Sequence, residues 1–555
     1  MGKTLNCESI KTFYTSIYEV AKQAKERQLV FYGAGFWGEV AVKIFELFQV
    51  TPVAFCDDDF SKIGTSKKVK GKDKEILIPI ISITDAIQLY PNAIYVATVN
   101  NVGGETSLRY KLNKRLKELG VLTVYSGFHP SRYTFLLEVG LEFDKYECDT
   151  SLFQSNDIEG IIVMNHMGNS GSVYFNTLVD NHPSILNITF LGGQTRLETL
   201  YEKRFKYLQE EELVIEIASQ LEPYFLPCIP FECFNSANKV AEKFFLTKDG
   251  KPERKIYINS KKFVEYLARE ILSRGKLSYG QILKAIYVAY ANCIGKKKII
   301  GEKYYMFYDM HDINTKINKI SYLFTKDNFI KIYFLYIIRE PVQQVYSWLK
   351  RSVVNANPDE RYYMLFNEFI KHFMSGTGKM LEDTMIYKNN EVRVIKFEDL
   401  KSDNRNTLER FCKWIGIKYS QTLEDTTFNG EKVYFPRNTL SAGVITGNNA
   451  EAILAKDYSD LLSEYDIFRL KILYGAMYKH YYSEKKIKHH TIYSKIKMQK
   501  MLKKPFRFEK VIEDELIKDS QIRMYDYGKI EYQKCIRKLE NFQWNTTKRK
   551  YYELI

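Results

Sequence analysis

A glycine-rich turn between an apolar strand and a helix most constrains the fold of this 555-residue chain. Gly33, Gly35 and Gly38 form a complete GxGxxG pattern directly after the apolar run Leu29 to Tyr32. The next apolar run ends at Asp57, at the spacing expected for an acidic residue that hydrogen-bonds a ribose. A strand, a tight glycine turn and a helix leading to a second strand predict a βαβ unit with parallel strands.

Similar strand-like runs continue this pattern through the N-terminal region. They cover Ile76 to Ile81, Ile94 to Thr98 and Val121 to Tyr125, and we therefore predict a Rossmann-like parallel sheet over residues 1–145. The region resembles the small nucleotide-binding-like domains that are appended to bacterial sugar-modifying enzymes. That resemblance implies a nucleotide or a nucleotide sugar as a ligand of the glycine turn and Asp57. A purely structural role is the alternative, since a fold does not determine a function.

A second strand, loop and helix lie between Gly160 and Pro183. Ile161 to Met164 is a β-branched apolar run typical of a buried parallel strand. In the loop that follows, Gly168 and Ser170 to Ser172 allow close approach of the backbone to a ligand. The unpaired N–H groups of the first helical turn then predict a phosphate or sulfate site. A Walker loop would end in Gly-Lys-Ser/Thr, and the absence of that lysine disfavours an ATPase.

A third stretch, residues 331–350, carries the groups expected for a phosphate monoester site. The strand-like run Ile332 to Ile338 ends at Arg339, and Pro341 suits the first turn of a helix. Ser347 follows Arg339 by about two helical turns, so a guanidinium and a hydroxyl can face one ligand. An Arg fork and a hydroxyl together suit a terminal phosphate.

These stretches, in this order, resemble the 5′-phosphosulfate and 3′-phosphate elements of sulfotransferases that use 3′-phosphoadenosine-5′-phosphosulfate (PAPS). The family's Ser-Gly-Thr-Thr and Leu-Leu-Asp-x-His-Pro correspond to Ser170 to Val173 and to Leu178 to Pro183. Its Arg-Asp-Pro with a later Ser corresponds to Arg339 to Pro341 with Ser347. A further segment, Ile395 to Leu400, is similar to the family's Tyr-Glu-Asp-Leu strand.

The resemblance implies a P-loop-like α/β sulfotransferase domain over residues 151–480, with PAPS as its cofactor. A helical insertion over residues 196–295 and a basic helical extension over residues 481–555 complete the expected α/β architecture. The residues implied to bind the cofactor come from the first loop, from the Arg339 region and from a loosely matched C-terminal loop. They are Gly168, Asn169, Ser170, Gly171, Ser172, Val173, Arg339, Ser347, Lys432 and Arg437.

One position departs from the family pattern, since Asn169 stands where the family has a basic residue before Ser-Gly. Another group must then meet the sulfonate charge, and His166, Lys303 and Arg196 are the candidates. Lys303 also ends a Gly-Glu-Lys similar to the Gly-Asp/Glu-Lys before the acceptor site of many bacterial sulfotransferases, which implies a catalytic cation on the leaving side. A solvated surface lysine is the alternative.

His311 is the first candidate for the catalytic base. It lies between Asp309 and Asp312, carboxylates that can orient the ring and favour its charged form. A histidine held in this way can accept the proton of an acceptor hydroxyl. His166 in the first loop is the rival base, and a structural role for His311 stays open.

Composition limits the other functional classes. Eight scattered cysteines without CxxC pairs argue against a zinc module and suit a reducing, cytoplasmic location. The net charge of +15 favours polyanions or anionic surfaces, yet no nucleic-acid-binding motif occurs, so nucleic acid is not expected. The basic extension 481–555 is compatible with peripheral membrane association, and a solvated helix face is the alternative. No apolar run is long enough for a membrane span, and no signal peptide is recognisable.

The sequence therefore predicts an enzyme, a PAPS-dependent sulfotransferase that needs no metal. The family analogy and the sugar-associated first domain imply a carbohydrate hydroxyl, on a cell-surface glycan or its precursor, as the acceptor. An NAD- or nucleotide-sugar-dependent oxidoreductase or epimerase, centred on the first domain, is one alternative. A non-catalytic protein that binds polyanions or membrane surfaces is the other.

Overall fold

In the computed structural model of the protein, the chain forms two compact units. The described residues are 16–71, 74–99, 108–125, 127–141, 149–166, 170–188, 191, 197–221, 258–272, 274–310, 331–354, 391–428, 430–432, 457–482, 504–510 and 553–555. The first unit draws on Met1–Ser155, Leu197–Lys243 and Arg254–Lys297, and the second on Asn156–Arg196, Phe244–Glu253 and Lys298–Ile555.

Helices and strands alternate along much of the described chain. The helices are α1 Ile17–Ala24, α2 Phe36–Glu46, α3 Ile83–Leu89, α4 Leu108–Glu118, α5 Phe135–Val139, α6 Ser172–Val179, α7 Leu197–Lys203, α8 Glu210–Gln220, α9 Ser260–Ile271, α10 Tyr279–Cys293, α11 Pro341–Val354, α12 Phe397–Ser402, α13 Asn404–Ile415, α14 Glu464–Leu473 and α15 Gly475–Tyr481. The strands are β1 Leu29–Tyr32, β2 Ala54–Cys56, β3 Ser66–Lys70, β4 Glu75–Ile81, β5 Ile94–Ala97, β6 Val124–Tyr125, β7 Ile158–His166, β8 Ile185–Asn187, β9 Tyr304–Met310, β10 Lys331–Ile338, β11 Val392–Lys396, β12 Thr427–Phe428, β13 Glu431–Lys432 and β14 Glu553–Leu554. Among the described residues, no helix has the length and apolar character needed to cross a membrane.

The first unit contains a sheet with the strand order β3-β4-β2-β1-β5-β6. Neighbouring strands are parallel except β3, which runs antiparallel to β4 at one edge. In the turn after β1, Gly33 has a φ of +114°, and a Cβ on Gly38 would lie 2.3 Å from the Gly33 carbonyl oxygen. Both positions therefore require glycine, and the predicted parallel α/β fold is confirmed.

Helices α7 to α10 group with the first unit, whereas the sequence had assigned this segment to the second domain. Ser155 Oγ donates to the Glu270 carboxylate at 2.5 Å, and Asn292 Nδ2 donates to the Phe153 carbonyl at 3.0 Å. All four residues are buried. The partners lie 115 and 139 positions apart, so no local sequence pattern could have revealed these contacts.

The second unit is built on a parallel sheet with the strand order β14-β11-β10-β7-β9-β8. Met164 of β7 lies opposite Leu335 of β10 on one side and opposite Asp309 of β9 on the other. Helices α6 and α13 cover this sheet through a buried apolar cluster. Its members include Phe175, Leu178, Leu408 and Phe411.

The carboxyl ends of these parallel strands meet at one edge of the sheet. There β7 leads into the loop before α6, β10 into Arg339, and β11 into α12, which begins at Phe397. The segment Ile395 to Leu400 is thus a strand end followed by a helix start, rather than a strand throughout. Ligands of open α/β sheets bind outside this edge, so the candidate site is sought there.

Candidate functional site

The loop between β7 and α6, called here the anion loop, ends in a glycine whose surroundings exclude a side chain. Gly171 has a φ of +93°, and an ideal Cβ would lie 2.1 Å from the ring of Phe397. Its neighbour Ser170 is fully buried, and its Oγ has no hydrogen-bond partner among the described residues. Ser172 starts α6, so the first N–H groups of that helix lack intrahelical acceptors. A buried hydroxyl beside such N–H groups suits an oxyanion.

Arg339 directly follows β10, the strand paired with β7, which leads into the anion loop. The residue is 4% exposed, and its guanidinium carbon lies 4.9 Å from the ring centre of Phe397. Burial lowers the pKa of Arg339, and nearby Glu398 opposes that shift. Pro341 begins α11 as predicted, and Ser347 is buried two turns later, with no partner for its Oγ in the described part of the chain. This strand end therefore supplies a buried cation, and the helix after it a buried hydroxyl.

Two partly buried carboxyl groups lie beside Arg339. Glu398 Oε1 accepts the N–H of Glu340 at 2.8 Å, and its Oε2 accepts the hydroxyl of Tyr482 at 3.2 Å. The hydroxyl of Tyr478 donates to Glu340 in turn. Burial raises the pKa of Glu340 to about 7, and it raises the pKa of Glu398 as well. Both shifts reduce the negative charge that offsets the guanidinium.

Lys401, a cation on α12, was not among the residues predicted from the sequence. The residue is 8% exposed, and its Nζ lies 3.5 Å from the ring centre of Tyr174, in the first turn of α6. Burial lowers the pKa of Lys401 to about 7, and repulsion from Arg339 adds to this shift. The sequence could have indicated that Lys401 lies near Phe397, because residues four positions apart in a helix lie on the same face.

His166, the last residue of β7, is held by a buried carboxylate. Its Nε2 donates to Asp309 Oδ1 at 2.8 Å, and Asn176 Nδ2 donates to Asp309 Oδ2 at 3.3 Å. Asn187 supports this arrangement through Nδ2, which donates to Asn176 Oδ1 at 2.9 Å. All four side chains are buried. The sequence had suggested Asp309 as a neighbour of His311, which lies outside the described residues; the structure shows Asp309 bonded to His166.

Lys303 does not lie at this edge of the sheet. It immediately precedes β9, and its Nζ is 3.6 Å from the carboxylate of Glu159 near the start of β7. The seven residues of β9 separate this position from the carboxyl edge by roughly 23 Å, at about 3.3 Å per residue. The predicted role of Lys303 on the leaving side is therefore corrected, and its half-exposed side chain is a surface cation at the opposite edge.

Lys432 belongs to a β-hairpin at the far end of α6. Asp180, directly after α6, accepts the Thr427 hydroxyl at 3.1 Å and the Gly430 N–H at 3.0 Å. Lys432 itself is exposed and pairs with Asp425 at 2.9 Å. The eight residues of α6 separate this hairpin from the anion loop by about 12 Å. The structure therefore does not bring Lys432 to that loop.

Of the remaining predicted site residues, one lies in α6 and five lie outside the described residues. Val173 lies in the first turn of α6 and is partly buried. Gly168, Asn169, Arg196, His311 and Arg437 lie outside the described residues. Among the side chains that the structure does describe, no group of three or more His, Cys, Asp or Glu could hold a metal ion.

The glycine turn of the first unit has the predicted form. Asp57 Oδ2 accepts the Ala34 N–H at 2.8 Å, and its Oδ1 accepts the Asp59 N–H at 3.0 Å. Lys62 Nζ lies 3.5 Å from the same carboxylate. A Cβ built on Gly35 would meet no described atom within 4 Å. Asp57 thus stabilises the turn itself, while the backbone at Gly35 stays open to close approach.

Comparison with protein families bears on the second unit. Residues 321–449 match a family model described as sulfotransferase domain. The matched range includes Arg339, Ser347 and Lys401, and it begins after the anion loop. No curated protein matches the sequence.

Three solved structures are among those similar to this chain. The sulfotransferase domain from the curacin biosynthetic pathway is 13% identical, with 54% of this chain and 88% of that chain covered and a TM-score of 0.27. The sulfotransferase domain from the Synechococcus PCC 7002 olefin synthase is 12% identical, with coverage of 60% and 98% and a TM-score of 0.29. Sulfotransferase STF9 from Mycobacterium avium is 9% identical, with coverage of 64% and 82% and a TM-score of 0.27. Because these TM-scores are low, nothing about this chain is inferred from these three structures. The family match over residues 321–449 is the finding that bears on its function.

Proposed function

We propose that this chain transfers a sulfuryl group from PAPS to a carbohydrate hydroxyl, a proposal that the sulfotransferase-domain match over residues 321–449 supports. The proposal rests mainly on one observation: two candidate anion-binding elements lie side by side at one edge of the sheet. The anion loop and Arg339 follow adjacent parallel strands, and both approach the ring of Phe397. Two anionic sites side by side suit a nucleotide that bears charged groups at two positions.

The residues around the two elements support the assignment of one anionic group of PAPS to each element. We assign the phosphosulfate to Ser170, Gly171 and Ser172, and the 3′-phosphate to Arg339 and Ser347. The Ser170 and Ser347 hydroxyls are buried without a partner among the described residues. Burial of an unsatisfied hydroxyl costs about 1 to 3 kcal/mol, and a bound phosphate or sulfonate oxygen would remove that cost.

Sulfuryl transfer requires residues that bind the anionic donor and a base that accepts the proton of the acceptor hydroxyl. When bound, PAPS supplies the sulfuryl group that the acceptor oxygen receives, and the desulfated nucleotide leaves. His166 and His311 are the two candidates for the base that takes the acceptor proton. The Asp309 contact supports His166, because a carboxylate fixes the ring and stabilises the imidazolium that proton transfer creates.

Further features support the choice of acceptor and location. The first unit resembles domains that accompany sugar-modifying enzymes, which favours a carbohydrate acceptor. Cys56, Cys293 and Cys412, the described cysteines, form no disulfide, which is compatible with the reducing cytoplasm. Contact of the basic segment 481–555 with anionic surfaces also belongs to the proposal, and most of that segment lies outside the described residues.

Calorimetric titration and a transfer assay together test this function. The full-length protein should bind 3′-phosphoadenosine-5′-phosphate (PAP), the desulfated product, and should transfer labelled sulfate from PAPS to members of an oligosaccharide panel. A change in nicotinamide absorbance with nucleotide sugars, without PAP binding, would move the activity to the first unit. Binding of polyanions or anionic vesicles without PAPS turnover would make the protein a binding protein instead.

A further inference from the structure

A buried lysine lies beside the anion loop, and no carboxylate of the described residues balances it. Lys401 Nζ is 3.5 Å from the ring centre of Tyr174 and 5.7 Å from that of Phe397. Within the described part of the chain, no acidic side chain forms an ion pair with it. By contrast Lys396, just before the same helix, pairs with Asp399 at 3.2 Å. An ammonium group buried without an anion is costly, and that cost points to a ligand.

The neighbours of Lys401 add to the excess of positive charge. Arg339 lies near enough to lower the pKa of Lys401 by repulsion, and it approaches the same Phe397 ring at 4.9 Å. Glu398 offsets part of the Arg339 charge. Tyr174 stays neutral, because burial raises its pKa to about 12. Two cations therefore share one aromatic ring, and among the described residues only Arg339 has an acidic neighbour.

The anion loop supplies no strong cation of its own. Residues Asn165 to Ser172, NHMGNSGS, contain neither Lys nor Arg. Gly171 of this loop packs on Phe397, whose ring also lies beside Lys401. The ring of Tyr174, which Lys401 covers, belongs to the first turn of α6. A cation for an anion at this helix end is therefore available from α12.

We propose that Lys401 binds the 5′ anionic group of the donor nucleotide at the N-terminus of α6, an inference that rests on the proposed function. The buried Ser170 hydroxyl, which has no partner among the described residues, indicates a ligand at the same place. The bound group is the phosphosulfate of the donor or the 5′-phosphate of PAP. Arg339 then binds the 3′-phosphate, so the two cations contact the two anionic groups that the ribose carries.

Binding of an anion and protonation of Lys401 are linked. Its pKa is about 7 without a ligand, and an anion beside it favours the charged form and raises that value. At pH 8 the lysine therefore takes up as much as one proton when the nucleotide binds. Affinity is full below the ligand-free pKa and falls as the pH rises above it. Arg339, directly after β10, and Tyr174 from α6 keep their charge states over this range. Glu398 on the same helix and Glu340 after Arg339 lie beside Arg339, and Glu340, whose pKa burial raises to about 7, also titrates here.

Calorimetric titration of the full-length protein with PAP and with adenosine 5′-monophosphate tests this assignment. Lys401→Met, which preserves the apolar length of the side chain, should weaken binding of both nucleotides by about 10- to 100-fold. It should also abolish the proton uptake that accompanies binding of adenosine 5′-monophosphate, which has no 3′-phosphate beside Glu340, measured at pH 8 in buffers of different ionisation enthalpy. Arg339→Met should weaken only PAP binding. Lys396→Met is the matched control and should bind both nucleotides like the wild type.

The outcomes separate this inference from the proposed function. Wild-type affinity of Lys401→Met for both nucleotides would overturn the assignment, as would a loss confined to PAP. Lys401→Arg should recover most of the affinity without proton uptake on binding adenosine 5′-monophosphate, and persistent uptake with that nucleotide would also overturn the assignment, even if Lys401→Met failed to fold. A wild-type protein that binds neither nucleotide would refute the proposed function itself.

Discussion

Replacement of Gly171 by alanine tests whether the anion loop depends on its close packing against Phe397. Two costs add at this position. The φ of +93° is unfavourable for any residue with a Cβ, at roughly 1–2 kcal/mol. The Cβ would also lie 2.1 Å from the Phe397 ring, and overpacking of this kind typically costs about 1–3 kcal/mol. We expect Gly171→Ala to lower the free energy of unfolding of the second unit by about 2–5 kcal/mol.

Gly416, at the end of α13, provides the matched control for this substitution. Its φ is +78°, and a Cβ there would meet nothing within 4 Å, so Gly416→Ala should cost only the backbone part, about 1–2 kcal/mol. Urea denaturation followed by circular dichroism compares the two variants, and calorimetry compares their affinity for PAP. Adding Phe397→Leu to Gly171→Ala should recover part of the steric cost. Equal destabilisation by the two alanine variants, with PAP binding intact in Gly171→Ala, would refute the steric explanation.

Further predictions concern the chemistry of the site. Arg339→Ala should weaken PAP binding by about 1.5–3 kcal/mol in calorimetry, the range for hydrogen bonds to charged groups, and unchanged affinity would remove it from the 3′-phosphate site. Replacement of the base by alanine, at His166 or His311, should slow sulfate transfer by about 10²- to 10⁴-fold, and the variant that keeps the wild-type rate identifies the histidine that is not the base. Asp309→Asn should lower kcat if His166 is the base, because the carboxylate holds its ring, and an unchanged kcat would favour His311.

Local sequence patterns were sufficient to predict many of the strands of both sheets, but not β3, β8, β9 or β14. The run Leu29 to Tyr32 is β1 over the same residues, and the run Ile332 to Ile338 became β10 with one more residue at its start. Buried parallel strands need continuous apolar runs, and the turns after them need glycine at specific positions. Both requirements are met within a few neighbouring residues, so a sequence displays them directly.

Which side chains contact each other in the site depends on the order of the strands in the sheet, and a local sequence pattern does not predict that order. Asp309 is two positions from His311 in the sequence, and this proximity suggested their pairing. In the sheet, Asp309 lies opposite Met164 on the neighbouring strand, which brings its carboxylate to His166. Lys303 was misplaced for the same reason, because only the direction of β9 shows that this residue lies at the opposite edge.

The position of one aromatic ring explains why the site could be only partly predicted. Phe397 follows β11, whose register with β10 sets Lys396 opposite Ile338, directly before Arg339. The ring thereby contacts the backbone at Gly171, lies beneath the Arg339 guanidinium and sits next to Lys401. Sheet register, rather than loop sequence, thus holds the anion loop and both cations together, and substitutions at Arg339 and Lys401 are expected to be non-additive because the two charges repel each other beside one ring.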